Sequence, residues 1–331
     1  EDGGLLCVTC TDMAALGGSH PETCFGRYSS MPIPRAGYLQ EMALRILLYS
    51  LATTAAKYGR SIKPILSVGM NFYVRVFCEV YDSKAAVRDL SISTGLVYQS
   101  KQCASFVCQT SGILNGNRFQ PGVAPSSMVC EETGGNFKVG GPIWMGPLHD
   151  TAVVQTALDR LESSGEGVFP DRTKLATTDR LRGLLTSCVE ELSDAPLYYN
   201  LPQMAQSLKL ATPTLIQCKA ALVNAGYKVS GYHKEPQAVK TTAPNSVVWD
   251  VLRAHSKKAP PAKIVPGSVA EKILSKEPSI TVDFTVPDSL KKSKENSVAR
   301  FPMNPERNWG PKKAATGKRK ADELSRQPRE S

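Results

Sequence analysis

Nowhere in the 331 residues does an apolar run reach the roughly 18 residues that a bilayer-crossing helix needs; the longest, from about Met42 to Ala56, is broken by Arg45 and by polar residues. No charged segment followed by a short apolar core stands at the start, so no secretory signal is read there. Without such a signal the nine cysteines, an odd number, read as free thiols in a reducing compartment and not as a disulfide framework. Only four histidines occur, and none has the spacing of a zinc protease or a catalytic triad. No glycine-rich phosphate loop of the P-loop or dinucleotide kind is found either. These gaps exclude a membrane span and leave the chain without an obvious active site of its own. Nor is there an initiator Met; the chain opens almost directly into an apolar strand, which leads us to expect a piece of a longer protein.

The charge that is present is unevenly placed. Of a formal net charge of +10, residues 254–331 supply 17 Lys and Arg against 9 Asp and Glu, while the remainder holds 23 against 21. The attraction to a polyanion therefore lies mostly in the tail.

The pattern predicts an α/β protein. Residues 3–11 read as a short buried strand ending at Thr11 and Asp12, and Gly17–Pro34 as a loop. Tyr38–Tyr58 reads as a helix, with Leu39, Met42, Ala43, Ile46, Leu47 and Leu51 at helical spacing and Gly59 as its stop. Ile62–Val68 is a strand. Phe72–Tyr81 is another, in which Val74, Val76, Cys78 and Val80 alternate with Tyr73, Arg75, Phe77 and Glu79. This order suits the closing third of an α/β sheet. Residues 82–142 read as a small β-rich insert within a first domain, 1–148. A helical region, 149–253, follows: Thr151–Glu162, a helix capped by Thr178, a short helix from Asn200, and a helix started by Thr212 and Pro213 and stopped by Gly226. Tyr227–Tyr232 is a strand and Ser246–Arg253 a last element. From Ala254 periodicity fades into Lys, Pro, Ser and Glu, which predicts a basic, mostly disordered tail.

Four constellations could carry chemistry. Helix, turn, helix and strand at 201–232 have the spacing of a winged helix-turn-helix. Lys219, Lys228, His233, Lys234 and Lys240 would then face nucleic-acid phosphates; a module that only packs on its neighbour is the competing reading. Cys103, Cys108 and Cys130 offer thiols for zinc, but a tetrahedral site wants two close pairs and Cys130 has no partner within reach in sequence. Thr11 and Asp12, at a strand end, could rim a ligand pocket or merely cap a helix. Lys312 and Lys313, then Lys318, Arg319 and Lys320, form two basic clusters that read as a bipartite nuclear import signal or an RNA-binding tail.

Several strings also resemble the tRNA guanine-26 N2-dimethyltransferases: Asp2-Gly3-Gly4-Leu5-Leu6-Cys7-Val8-Thr9-Cys10-Thr11-Asp12, Glu41-Met42-Ala43-Leu44-Arg45, Tyr73-Val74-Arg75-Val76-Phe77, Gly140-Gly141-Pro142-Ile143-Trp144, Pro147-Leu148-His149-Asp150, Ala221-Leu222-Val223-Asn224-Ala225-Gly226-Tyr227 and Asn304-Pro305-Glu306-Arg307-Asn308-Trp309. The strings are collinear. The resemblance implies the C-terminal part of a class I, Rossmann-like methyltransferase sheet, then an α+β winged-helix-like domain that binds tRNA. It also implies methyl transfer from S-adenosylmethionine to N2 of a guanine; a nuclear setting, with the cytoplasm or an organelle as the alternative, and a monomeric state are expected. The family's glycine-rich cofactor motif and its Asp-Pro-Phe motif are not among these residues, so the chain alone is expected not to methylate tRNA. Relatives imply two Cys-x-x-Cys pairs in the insert; here Ser100 and Thr133 stand at two of those positions, leaving Cys103 and Cys130, so a structural zinc is not expected unless Cys108 stands in. The alternative is a non-catalytic RNA- or protein-binding winged-helix module.

Overall fold

The computed structural model describes residues 2–70, 72–162, 177–291 and 298–301. β1 (Gly4–Cys10) comes first, then short helices α1 (Met13–Leu16) and α2 (Pro21–Tyr28) and the long α3 (Leu39–Ala56). β2 (Arg60–Gly69) and β3 (Val74–Asp82) complete a sheet ordered β1-β3-β2. The alternation in β3 has the consequence that a half-covered strand demands: Val74, Val76 and Cys78 are buried. β3 is antiparallel to both neighbours, so β1 and β2 run the same way, and Cys10 and Gly69 both register with Val74. Two strand carboxyl ends thus share one edge of the sheet, the edge at which α/β proteins place ligands.

α3 packs on this sheet and is enclosed on most sides, with Glu41 and Arg45 buried among its apolar residues. A helix so enclosed has no water to solvate charges, so each must find a protein partner.

The insert begins with α4 (Lys84–Arg88). It continues through β4 (Thr94–Ser100), β5 (Phe106–Thr110), the hairpin β6 (Gly112–Asn115) and β7 (Arg118–Pro121), and β8 (Phe137–Trp144). β5, β4 and β8 form one sheet in that order. Gly95 is required where β4 passes β5, because a Cβ there would stand 2.0 Å from the Gln109 carbonyl. A Cβ at Gly140 would meet Met42 of α3 at 2.8 Å, so β8 lies directly on that helix.

The helical region contains α5 (Thr151–Glu162), α6 (Thr178–Glu190), β9 (Tyr199–Asn200), α7 (Leu201–Ser207) and α8 (Leu215–Asn224). β10 (Val229–Tyr232), β11 (Glu235–Thr241) and α9 (Asn245–Lys258) follow. Asn200 caps α7 as expected, accepting from the Gln203 N–H at 3.0 Å. α8 starts later than Thr212 and Pro213 suggest, with Thr214 at its N-cap position. β11 is the central strand of a sheet ordered β10-β11-β9. This region and the insert share one apolar core: Cys103 and Cys130 pack in the same cluster as Trp249. The Trp249 indole donates to Ser105 Oγ at 2.7 Å, and the Asn245 side chain bonds both the N–H and the carbonyl of Phe106.

The expectation of disorder from Ala254 is corrected over much of the tail. α9 runs on to Lys258, α10 (Val269–Leu274) buries Ala270 and Ile273, and Ile280, Val282 and Phe284 pack against the same core. Polar anchors fix the strap that follows. Asp250 Oδ2 accepts from Ser279 N–H at 2.8 Å, Arg253 Nε donates to the Ile273 carbonyl at 2.8 Å, and Asn224 Nδ2 donates to the carbonyls of Asp283 and Thr285. The apolar residues are few and widely spaced, so the Lys- and Pro-rich composition hid them. No helix among the described residues is long and apolar enough to cross a membrane.

Candidate nucleic-acid interface

The five residues expected to face phosphates divide into two groups. Lys240 and His233 are corrected outright: neither reaches solvent. Lys240 lies on the central strand β11, covered on both faces, and its Nζ donates to Glu41 Oε1 at 2.9 Å and Glu191 Oε1 at 2.8 Å. Glu41 also receives Arg45 at 2.8 Å and the Leu197 N–H at 2.8 Å. Arg45 in turn donates to the carbonyls of Trp144 and Gly146. Two cations and two carboxylates are thus enclosed together, a charge-balanced seam that joins α3, the insert and the helical region.

His233 and His149 complete the seam. His233 Nε2 accepts the Gly69 N–H at 2.9 Å, so its proton sits on Nδ1, which donates to Glu191 Oε2 at 2.9 Å. His149 Nδ1 faces the Ser67 N–H at 3.4 Å, which directs its own N–H, at Nε2, toward Glu191 Oε2 at 3.7 Å. Burial would push Glu191 up, but Lys240 and the two imidazoles outweigh it and hold the carboxyl well below its usual range. Burial lowers His149, against a partial pull from Glu191 in the other direction.

His149, Cys188 and His233 bring their ligand atoms within 4.8 Å of one another. A metal needs an imidazole lone pair aimed at it with the distal N–H donating outward. Here backbone N–H groups occupy the distal nitrogens, so both rings present protons to the cluster. The arrangement suits holding the Glu191 carboxylate and does not suit a metal.

One pH prediction arises from this seam. His149 sits below its ordinary 6.5 when folded, so the unfolded chain binds a proton first as pH falls. Glu191, depressed below 4.5, acts in the same sense at lower pH. Stability is therefore expected to be full above neutral pH, to decline from about pH 6.5 downward and to decline further below about 4.5. Urea midpoints measured from pH 8 to 4 check this; a flat profile down to pH 5 would contradict it.

The other three lysines are at the surface. Lys219 is half-buried on α8, where a Cβ at Gly231 would stand 3.6 Å from its Nζ. Lys228 is exposed and paired with Asp194 at 2.7 Å. Lys234 stands in the tight turn between β10 and β11, against the sheet end, since a Cβ on Gly69 would meet its side chain at 3.6 Å.

Cys103 and Cys130 are brought together, with Sγ atoms 3.6 Å apart, whereas Cys108 packs in a different core on β5 and does not join them. The turns where further zinc ligands would stand are capped by hydroxyls instead. Ser100 Oγ accepts from the Cys103 N–H at 3.3 Å, and Thr133 Oγ1 from the Gly135 N–H at 3.4 Å. Two thiols and two hydroxyls so engaged do not fit a tetrahedral thiolate zinc.

Thr11 and Asp12 lie at the strand end as expected, but Asp12 is already engaged, accepting from Arg27 at 2.5 Å. Its side chain makes no helix-cap bond. Lys312, Lys313, Lys318, Arg319 and Lys320 lie outside the described residues.

Sequence reasoning missed Glu41, Arg45, His149 and Glu191. The available signal was the Glu41 and Arg45 pair, four residues apart inside an apolar helix, where water is absent.

Sheet order, seam and hairpin define a mixed α/β protein whose helical region is fastened to the carboxyl edge of a sheet. Its relatives give the particular family. The family model described as N2,N2-dimethylguanosine tRNA methyltransferase matches residues 1–253, and the chain belongs to that family. It is 41% identical over 317 residues to tRNA (guanine(26)-N(2))-dimethyltransferase 2 of Arabidopsis thaliana, covering 94% of this chain and 52% of that one. The Homo sapiens dimethyltransferase is 39% identical over 339 residues, covering 99% of this chain and 50% of its own. A solved structure, Trm1 from Pyrococcus horikoshii in complex with S-adenosyl-L-methionine, superposes with a TM-score of 0.61 at 28% identity, covering 75% of this chain and 58% of that one. The chain thus spans about half the length of the curated relatives it matches.

Proposed function

We propose that the chain is the tRNA-holding portion of an S-adenosylmethionine-dependent methyltransferase acting on N2 of a guanine in tRNA, at the position 26 named for its relatives. The observation that carries the reading is the fastening of the β10–β11 hairpin to the end of β2 by the bond from Gly69 N–H to His233 Nε2. We read the order α6, β9, α7, α8, β10, β11 as winged-helix-like, and β1, β3 and β2 as the closing strands of a class I sheet. The hairpin then holds tRNA against the strand ends, where class I chemistry is done. The amine of guanine is a weak nucleophile, so the reaction depends on orientation, and the base must leave its stack to be reached. A free-standing binding module is disfavoured by the family membership.

The strand-end acid Asp12 is paired with Arg27. No step is assigned to the cofactor, and we propose that these residues alone do not transfer methyl groups; labelled-methyl incorporation into tRNA by this chain would overturn that. The chain is expected to bind an in vitro transcribed tRNA more tightly than an unstructured RNA of equal length, with affinity falling steeply as salt rises. Equal affinity for the two RNAs would remove tRNA holding from the proposal. A monomeric state, checked by light scattering, and nuclear import by residues 312–320, checked with a reporter fusion, complete it.

A further inference from the structure

Beyond the edge row formed by Cys10, Val74 and Gly69 lies a cleft of about 470 Å³, walled by the β2–β3 connection, α6, the β10–β11 turn and residues Arg300 and Phe301. Its cations are Arg180, Lys234 and Arg300 and its rings Phe72, Tyr73 and Phe301. Phe72 and Phe301 are 45% and 43% exposed and line the same cleft. Next to them, Arg75 lies over the Tyr73 ring at 5.5 Å and ties β3 to β1 by donating to Thr9 Oγ1 at 2.7 Å, which extends the basic and aromatic surface back across the strand ends.

We propose that this cleft receives the nucleotides flanking the target guanine, with Phe72, Tyr73 and Phe301 stacking on bases and Lys234 and Arg180 contacting phosphates. The inference rests on the tRNA reading above and gives it a place. Alternating cations and rings are what a strand with splayed bases requires, because each base offers a π-face and each linkage a charge. A protein partner would instead call for a more continuous apolar wall.

Two further observations agree. Lys234 is lowered first by its burial and also by the like charge of Arg180, with Glu235 pulling the other way, so an anion in the cleft would favour its charged form. The hairpin cannot drift from the sheet end, because His233 beside Lys234 is fixed to Gly69.

The test compares tRNA binding by the full 331-residue chain and its variants Lys234→Glu, Phe72→Ala and Lys57→Glu. Lys57 is exposed at the end of α3, at the opposite end of the sheet, so its reversal makes the same change in net charge far from the cleft. Lys234→Glu and Phe72→Ala should each weaken binding about tenfold or more, consistent with the loss of a stacked base or a phosphate contact. Lys234→Glu should also make the salt slope shallower by about 0.7 to 0.9, while Lys57→Glu changes affinity less than about twofold. Melting curves confirm that the surface variants fold. Equal weakening by Lys234→Glu and Lys57→Glu, or unchanged binding with Phe72→Ala, overturns the cleft and leaves tRNA holding standing. Absence of tRNA binding by the unmodified chain overturns both.

Discussion

Replacing Lys240 with Met is expected to lower the unfolding free energy by about 3–5 kcal/mol. The methionine fits the apolar volume, but Glu41 and Glu191 are left with one buried cation, Arg45, between them. The loss comes from the stranded charge and not from the missing stem. Adding Glu191→Gln to Lys240→Met restores neutrality and should recover more than half of the loss, a coupling within the ~0.5–3 kcal/mol range of contacting residues. Denaturant unfolding of the two single variants and the double variant decides the matter. If the two substitutions simply add, charge balance does not hold the seam together.

Trp249→Ala should cost a similar amount, about 3–5 kcal/mol, by a different route. The indole is fully buried where the insert, α9 and the strap meet, and its N–H donates to Ser105. Truncation opens a cavity at that junction and removes one of the bonds that hold the insert to α9. Trp249→Phe should recover most of the packing and lose mainly the hydrogen bond, about 1 kcal/mol net. Chemical denaturation followed by both circular dichroism and tyrosine fluorescence tests this; equal losses for the two variants would show that the hydrogen bond, not the volume, dominates.

Much of the architecture was legible in local pattern. Val74, Val76 and Cys78 alternate because one face of β3 meets α3, and Asn200 and Gly226 mark a helix start and stop by backbone chemistry that needs no tertiary information. Lys240 was misread for the opposite reason. A lysine beside a hairpin suggests a surface strand, and its burial depends on carboxylates supplied by other elements. The strap was missed because composition was read in place of spacing: Ala270 and Ile273, then Ile280, Val282 and Phe284, are periodic but sparse. The approach of Cys103 to Cys130 joins turns 27 residues apart and was not legible locally, and the separation of Cys108 is set by its place on β5. The cleft combines four chain regions, the β2–β3 connection, α6, the β10–β11 turn and the Arg300–Phe301 segment, and no local string announces it.

The seam also sets an order of events in time. Lys240 reaches Glu41 across 199 residues of chain, and Gly69 reaches His233 across 164. At ribosomal rates of about 5–20 residues per second, α3 waits roughly 10–40 s after its own synthesis for the lysine that completes its charge balance. During that interval the Glu41 and Arg45 side chains cannot both be dry and balanced against their final partners, so the helix stays hydrated on that face. Closing contacts so distant in sequence is slow. The two halves of this chain therefore mature together, and the helical region is a late-arriving half of one core, unable to serve as a detachable appendage.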